Sequence, residues 1–125
     1  MPQYIILLYD DPKKFADLSP QEMQEAFKKY WGWGQKMREQ GRLIGSNKLT
    51  DRAGRVLRGK SPMRVTDGPF TEGKEVLGGY YMFNADSYEH AIELTRDHPQ
   101  LEYGGTVEVR EIQDLSQAAQ SARNA

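Results

Sequence analysis

Apolar and polar positions along this chain switch between a period of two and a period of 3.6, and the switches mark the elements. Tyr4-Ile5-Ile6-Leu7-Leu8-Tyr9 is an apolar run too short for a helix, closed by Asp10-Asp11-Pro12, which predicts a strand buried on both faces and then a turn. Ser19-Pro20-Gln21-Glu22 starts a helix: Ser19 as N-cap, Pro20 where a missing N–H costs nothing, and Glu22 closing a capping box. Met23, Phe27, Tyr30, Trp31 and Met37 then form one apolar stripe, with Trp31 in the core and Trp33 flanking a dimer contact or a pocket mouth, and Gly41 ends the helix. Gly32 and Gly34 either permit close packing or mark a kink.

Residues 42 to 49 read as a second strand, and 55 to 58 with 63 to 66 as an inserted hairpin around Gly59-Lys60-Ser61-Pro62. Residues 76 to 85 form a long strand, again apolar on both sides, with Gly78-Gly79 inside it. Ser87 caps a second helix that Pro99 stops at His98, and residues 106 to 112 make a last strand, apolar on the Val107 and Val109 face alone. The order strand, helix, strand, hairpin, strand, helix, strand is the ferredoxin-like βαββαβ plan of an α+β protein. The two strands that are apolar on both faces belong at its centre and the two mixed ones at its edges. Two helices cover one face of such a sheet, so the other face needs a second copy of the chain, or the hairpin and tail folded back over it.

Composition narrows the function. The chain has 125 residues, 38% hydrophobic and 28% charged, which fits one domain. Seventeen Lys plus Arg against eighteen Asp plus Glu give a net charge of −1, too little positive field to favour nucleic acid. No apolar run approaches the roughly 18 residues of a membrane span, and the first ten residues lack the pattern of a secretory signal, so the expected location is cytoplasmic. Cysteine is absent, which excludes disulfides, thiolate metal sites and a Cys nucleophile. The two histidines, His90 and His98, lie eight positions apart, about 12 Å along a helix, too far for one metal ion. No phosphate loop or nucleophile elbow is present, so no cofactor is expected.

The candidate chemistry is acid–base. Asp67-Gly68-Pro69 is a stiff turn, because Pro69 restricts Gly68 and Asp67 can bond the backbone ahead; the same stiffness would fix one carboxylate in place. His98 at a helix end is either a helix-end charge, favoured there as a cation, or a cap, or else a general acid or base. An Asp67–His98 pair is the expected catalytic couple, with Arg64 and Tyr80 as candidate substrate ligands and Glu72, Lys74 and Glu75 as a solvated loop or a rim beside Asp67.

Thr66-Asp67-Gly68-Pro69-Phe70-Thr71-Glu72-Gly73-Lys74-Glu75, with Gly78-Gly79-Tyr80 and Asp97-His98-Pro99, resembles the YCII-related proteins of the DGPF type. The resemblance runs through residues 1–113 and leaves residues 114–125 as a frayed or disordered tail. It implies a dimeric α/β barrel built on the ferredoxin-like plan, and an Asp–His active site with no generally assigned reaction. The expectation is therefore a homodimeric, cofactorless acid–base enzyme acting on a small polar molecule. The alternative is a non-catalytic small-molecule-binding or regulatory module, since relatives of this type often accompany sigma-factor systems.

Overall fold

The computed structural model describes residues 1–68 and 75–124. Its elements are β1 (Gln3–Asp10), α1 (Pro12–Ala16), α2 (Pro20–Glu39), β2 (Leu43–Lys48), β3 (Arg55–Arg58), β4 (Arg64–Asp67), β5 (Val76–Asn84), α3 (Tyr88–Thr95), α4 (Pro99–Glu102), β6 (Thr106–Glu111) and α5 (Leu115–Asn124). The main sheet has the order β2-β5-β1-β6 with antiparallel neighbours, and β3 and β4 form a separate two-stranded ribbon. This is the ferredoxin-like arrangement, with the two strands that are apolar on both faces at the centre. Pro69 to Lys74, including the Glu72 and Lys74 rim, lie outside the described residues.

Both ends of α2 follow from local chemistry. The Ser19 hydroxyl accepts from the Glu22 N–H at 3.1 Å and the Glu22 carboxylate accepts from the Ser19 N–H at 3.1 Å, a complete capping box. At the other end Gly41 adopts φ +72°, its N–H donating to the Arg38 carbonyl while the Arg42 N–H donates to that of Met37. That left-handed turn is open to glycine without steric cost.

The buried face of α2 is not the expected one. Ala26, Trp33, Gly34 and Met37 are buried, with Tyr30 packed against the core, whereas Phe27 is 48% and Trp31 69% exposed. Met23, Tyr30 and Met37 are spaced by sevens, and Trp33 lies three beyond Tyr30, on the side of that line facing the sheet. Gly34 lets the helix approach closely, because a Cβ there would stand 3.3 Å from the Tyr81 ring.

Alternation divides the sheet into two faces. Tyr4, Ile6 and Leu8 of β1 and Tyr81 and Phe83 of β5 point into the core under α2 and α3, joined by Val107 and Val109 of β6. Ile5, Leu7 and Tyr9 alternate with them on β1, as Tyr80 and Met82 do on β5, and are only half-buried on the side turned away from α2 and α3. The β3–β4 ribbon does not fold back over that side: its residues are exposed apart from the half-buried Val56. Among the described residues no helix is long and apolar enough to cross a membrane.

Candidate functional site

The site begins with a break in a helix. Pro99 cannot continue α3, so the chain turns at His98 and restarts as α4 with His98 as N-cap. The turn drives the imidazole inward, to 1% exposure, among the rings of Trp33, Tyr81 and Tyr30 at centroid distances of 4.7, 5.0 and 5.4 Å, all edge to face. Nδ1 accepts from the Gln100 N–H at 2.9 Å, so the neutral ring carries its proton on Nε2, which is buried without a hydrogen-bond partner among the described residues. Burial pushes the imidazole down to about 4, against a smaller upward pull from Asp97. Of the two helix-end readings the cap holds, His98 being the N-cap of α4, and the cation does not: at neutral pH the ring is uncharged, because loss of hydration outweighs the attraction of the helix end.

From His98 a polar belt runs to both sides. Toward α2, the Trp33 Nε1–H donates to Asp97 Oδ1 at 3.0 Å and the Lys36 ammonium donates to Oδ2. Burial raises that carboxyl, but Lys36 and Trp33 together outweigh it and hold it below the ordinary range. These groups border a shallow groove of about 280 Å³ that Lys29, Gly32, Pro99 and Glu102 complete.

Toward β1 the belt runs through Gln100, itself 1% exposed. Its amide oxygen accepts from the Tyr30 hydroxyl at 2.5 Å, and its Nε2 donates to the Tyr9 carbonyl at 2.8 Å and to the Asp10 carboxylate. Two glycines leave the room for this couple. A Cβ on Gly78 would stand 2.5 Å from Asp10 Oδ2, and one on Gly105 would stand 2.7 Å from Gln100 Cδ. Burial raises the Asp10 carboxyl; Gln100 and Lys48 pull it down, Asp51 and Glu75 push it up again, and the net shift is upward. Burial also pushes the Tyr30 phenol up, so it remains a hydrogen-bond donor. A carboxyl held by one amide at the end of a central strand, with a raised proton affinity, has the chemistry of a general acid or base.

The four residues singled out from the sequence are placed otherwise. Asp67 closes β4 on the exposed ribbon, its side chain 80% exposed and paired with Arg55 at 3.5 Å. Neither nitrogen of His98 bonds it, so the structure does not bring Asp67 and His98 together within one chain. Arg64 lies across the ribbon from Arg58, exposed to solvent. Tyr80 accepts from the Asn47 amide at 2.8 Å on the open side of the sheet, whereas Tyr81, next along the strand, faces His98. Sequence reasoning missed Asp10, Gln100 and Tyr30. The available signals were an acid ending an apolar strand and a glycine at 78 inside a strand.

Fold and site together define a small ferredoxin-like α+β protein with ionisable groups gathered at one end of its sheet. The family model of the YCII-related domain matches residues 2–116, and the chain belongs to that family. An uncharacterized protein of Rhizobium meliloti (strain 1021) is 29% identical over 96 residues, 75% of this chain and 77% of its own length. Among solved structures, the 5-chloro-2-hydroxyhydroquinone dehydrochlorinase TftG of Burkholderia phenoliruptrix AC1100, in complex with 2,5-dihydroxybenzoquinone, matches with a TM-score of 0.53 at 12% identity. That match covers 89% of this chain and 93% of TftG, and shows the shared fold.

Proposed function

We propose that this protein binds a small polar molecule at the Asp10 end of its sheet and moves a proton on it, with Asp10 as the general base or acid. The observation that carries the reading is the half-buried Asp10 carboxyl, raised in proton affinity and held by Gln100 in a slot that Gly78 and Gly105 keep open. Tyr30 and His98 position Gln100 through its side-chain oxygen and its backbone N–H, so their role is to orient rather than to react. The TftG complex supports the ligand class: a protein of this fold accommodates a small hydroxylated quinone. Asp67 and His98 do not form the acid–base pair of this reading within a chain.

The protein works as a homodimer in this reading, the open faces of two sheets covering Ile5, Leu7, Tyr80 and Met82 of each copy. A regulatory binding module is the rival, distinguished by a ligand that stabilises the protein and is recovered unchanged.

The test uses a panel of small enolisable carbonyl compounds and hydroxyquinones, 2,5-dihydroxybenzoquinone among them. The wild type raises its melting temperature with at least one member and catalyses exchange of its C–H for deuterium, followed by NMR. Asp10→Asn keeps the fold and loses about 10²–10⁴ of the exchange rate. Binding without exchange transfers the case to the regulatory module. A wild type that binds no member, or an Asp10→Asn variant that exchanges as fast, refutes the site.

A further inference from the structure

Asp10 has one oxygen to spare. Gln100 donates to Oδ1, whereas Oδ2 has no hydrogen-bond partner among the described residues and lies against Gly78, where a Cβ would come within 2.5 Å of it. The strand register opens the space further. β1 and β5 pair as Leu8 with Gly79 and then Tyr9 with Leu77, so Gly78 is the unmatched residue of a bulge. On the far side of β5, Lys48 of β2 stands opposite Gly79, and the Leu49 N–H donates to the Gly78 carbonyl at 2.8 Å. Lys48 is two positions from Ser46, the partner of core-facing Tyr81, and Asp10 is two positions from core-facing Leu8. A lysine on one strand and a carboxyl on the next but one therefore share a side of the sheet, and the strand between them carries only glycines at that level.

Lys48 is equipped as a donor. Its ammonium donates to the Leu49 carbonyl at 2.9 Å and to Asp51 Oδ1 at 3.3 Å. An ammonium has three N–H donors, and the third has no partner among the described residues. Its charge is felt at Asp10, whose carboxyl it pulls down against burial. Removing a proton from the carbon beside a carbonyl takes two groups, a base for the proton and a positive donor where the oxygen gains charge. Asp10 supplies the first.

We propose that Lys48 is the second catalytic residue of the Asp10 site, its third N–H holding the carbonyl oxygen of a small enolisable substrate laid over Gly78 and Gly79 while Asp10 Oδ2 takes the proton from the adjacent carbon. The C–H bond breaks, its electron pair forms the new C=C bond, and the carbonyl π pair moves to the oxygen, which rests as an enolate against the ammonium. Return of the proton, or of a solvent deuteron exchanged onto Asp10, restores the carbonyl compound. The assignment rests on Asp10 as the base, and the experiment separates the two.

Deuterium exchange into the panel of enolisable carbonyl compounds is followed by NMR from about pH 5 to about pH 9 for the wild type, Asp10→Asn, Lys48→Met and Lys48→Arg. Lys48 is exposed, so its variants fold, and Lys48→Met keeps most of the stem while removing the charge. The wild-type rate climbs to a plateau as Asp10 ionises. Lys48→Met lowers that plateau about 10²–10³-fold, and Lys48→Arg, which keeps a cation, retains at least about a tenth of it. If Lys48 only tuned Asp10, Lys48→Met would raise the Asp10 carboxyl, move the climb to higher pH and reach the wild-type plateau. That result, or a Lys48→Arg variant no faster than Lys48→Met, overturns Lys48 as the oxygen-holding group and leaves Asp10 as the base, provided Asp10→Asn has lost exchange. A wild type that exchanges no member of the panel, or an Asp10→Asn variant as fast as the wild type, overturns both.

Discussion

Acid should unfold this protein through His98, and the size of the effect follows from the ring's surroundings. In the unfolded chain the imidazole titrates near its ordinary 6.5, whereas burial among Trp33, Tyr81 and Tyr30 pushes it down to about 4 in the fold. Between those values the unfolded state binds a proton that the folded state refuses, so stability falls as pH falls. The loss begins below about pH 6.5 and levels off near 4; at about 1.4 kcal/mol per unit it reaches about 3 kcal/mol. Asp10 acts in the opposite sense, because its raised carboxyl holds a proton longer in the fold, and the lowered Asp97 carboxyl adds to the acid loss.

Both carboxyls titrate equally in a variant that lacks only the imidazole, which makes His98→Asn the control. The Asn side-chain oxygen keeps an acceptor for the Gln100 N–H and does not titrate near neutrality. Urea unfolding, followed by tryptophan fluorescence at one fixed protein concentration, is run from about pH 7.5 to about pH 4. His98→Asn starts lower by about 1–3 kcal/mol for the lost packing, and the wild-type advantage then disappears as the pH falls. Parallel curves would show that the ring is hydrated in the fold, and the account of an uncharged core histidine would be wrong.

Two further outcomes test the packing. Trp33→Ala costs about 3–5 kcal/mol in thermal or urea unfolding, while Trp31→Ala stays within about 0.5 kcal/mol; equal costs would mean that α2 presents its other face to the sheet. Gly105→Ala forces Gln100 out of its bonds to Tyr9, Asp10 and Tyr30 and destabilises by about 2–3 kcal/mol. Gly32→Ala, where a Cβ meets nothing within 4 Å, gains up to about 1 kcal/mol. A neutral Gly105→Ala, measured by the same unfolding curves, would show that the Asp10 slot is not tightly built.

What could be read from the sequence was whatever depends on neighbours along the chain. The run from Tyr4 to Tyr9, the Ser19–Glu22 box, Gly41 and the stop at Pro99 act within a few residues, so they announced the strands, the helix ends and, through their order, the ferredoxin-like plan. The DGPF segment carried the family for the same reason, being contiguous. Which side of α2 meets the sheet was decided only by packing, because Trp31 and Trp33 are equally apolar and lie about 200° apart around the axis. The belt from Asp97 through His98 to Asp10 was hidden because Gln100 and Asp10 are 90 positions apart and meet only when α4 folds against the end of β1. His98 shows the division most sharply: its place at a helix boundary is written in the proline that follows it, but its charge is set by the three aromatic rings that displace water from around it.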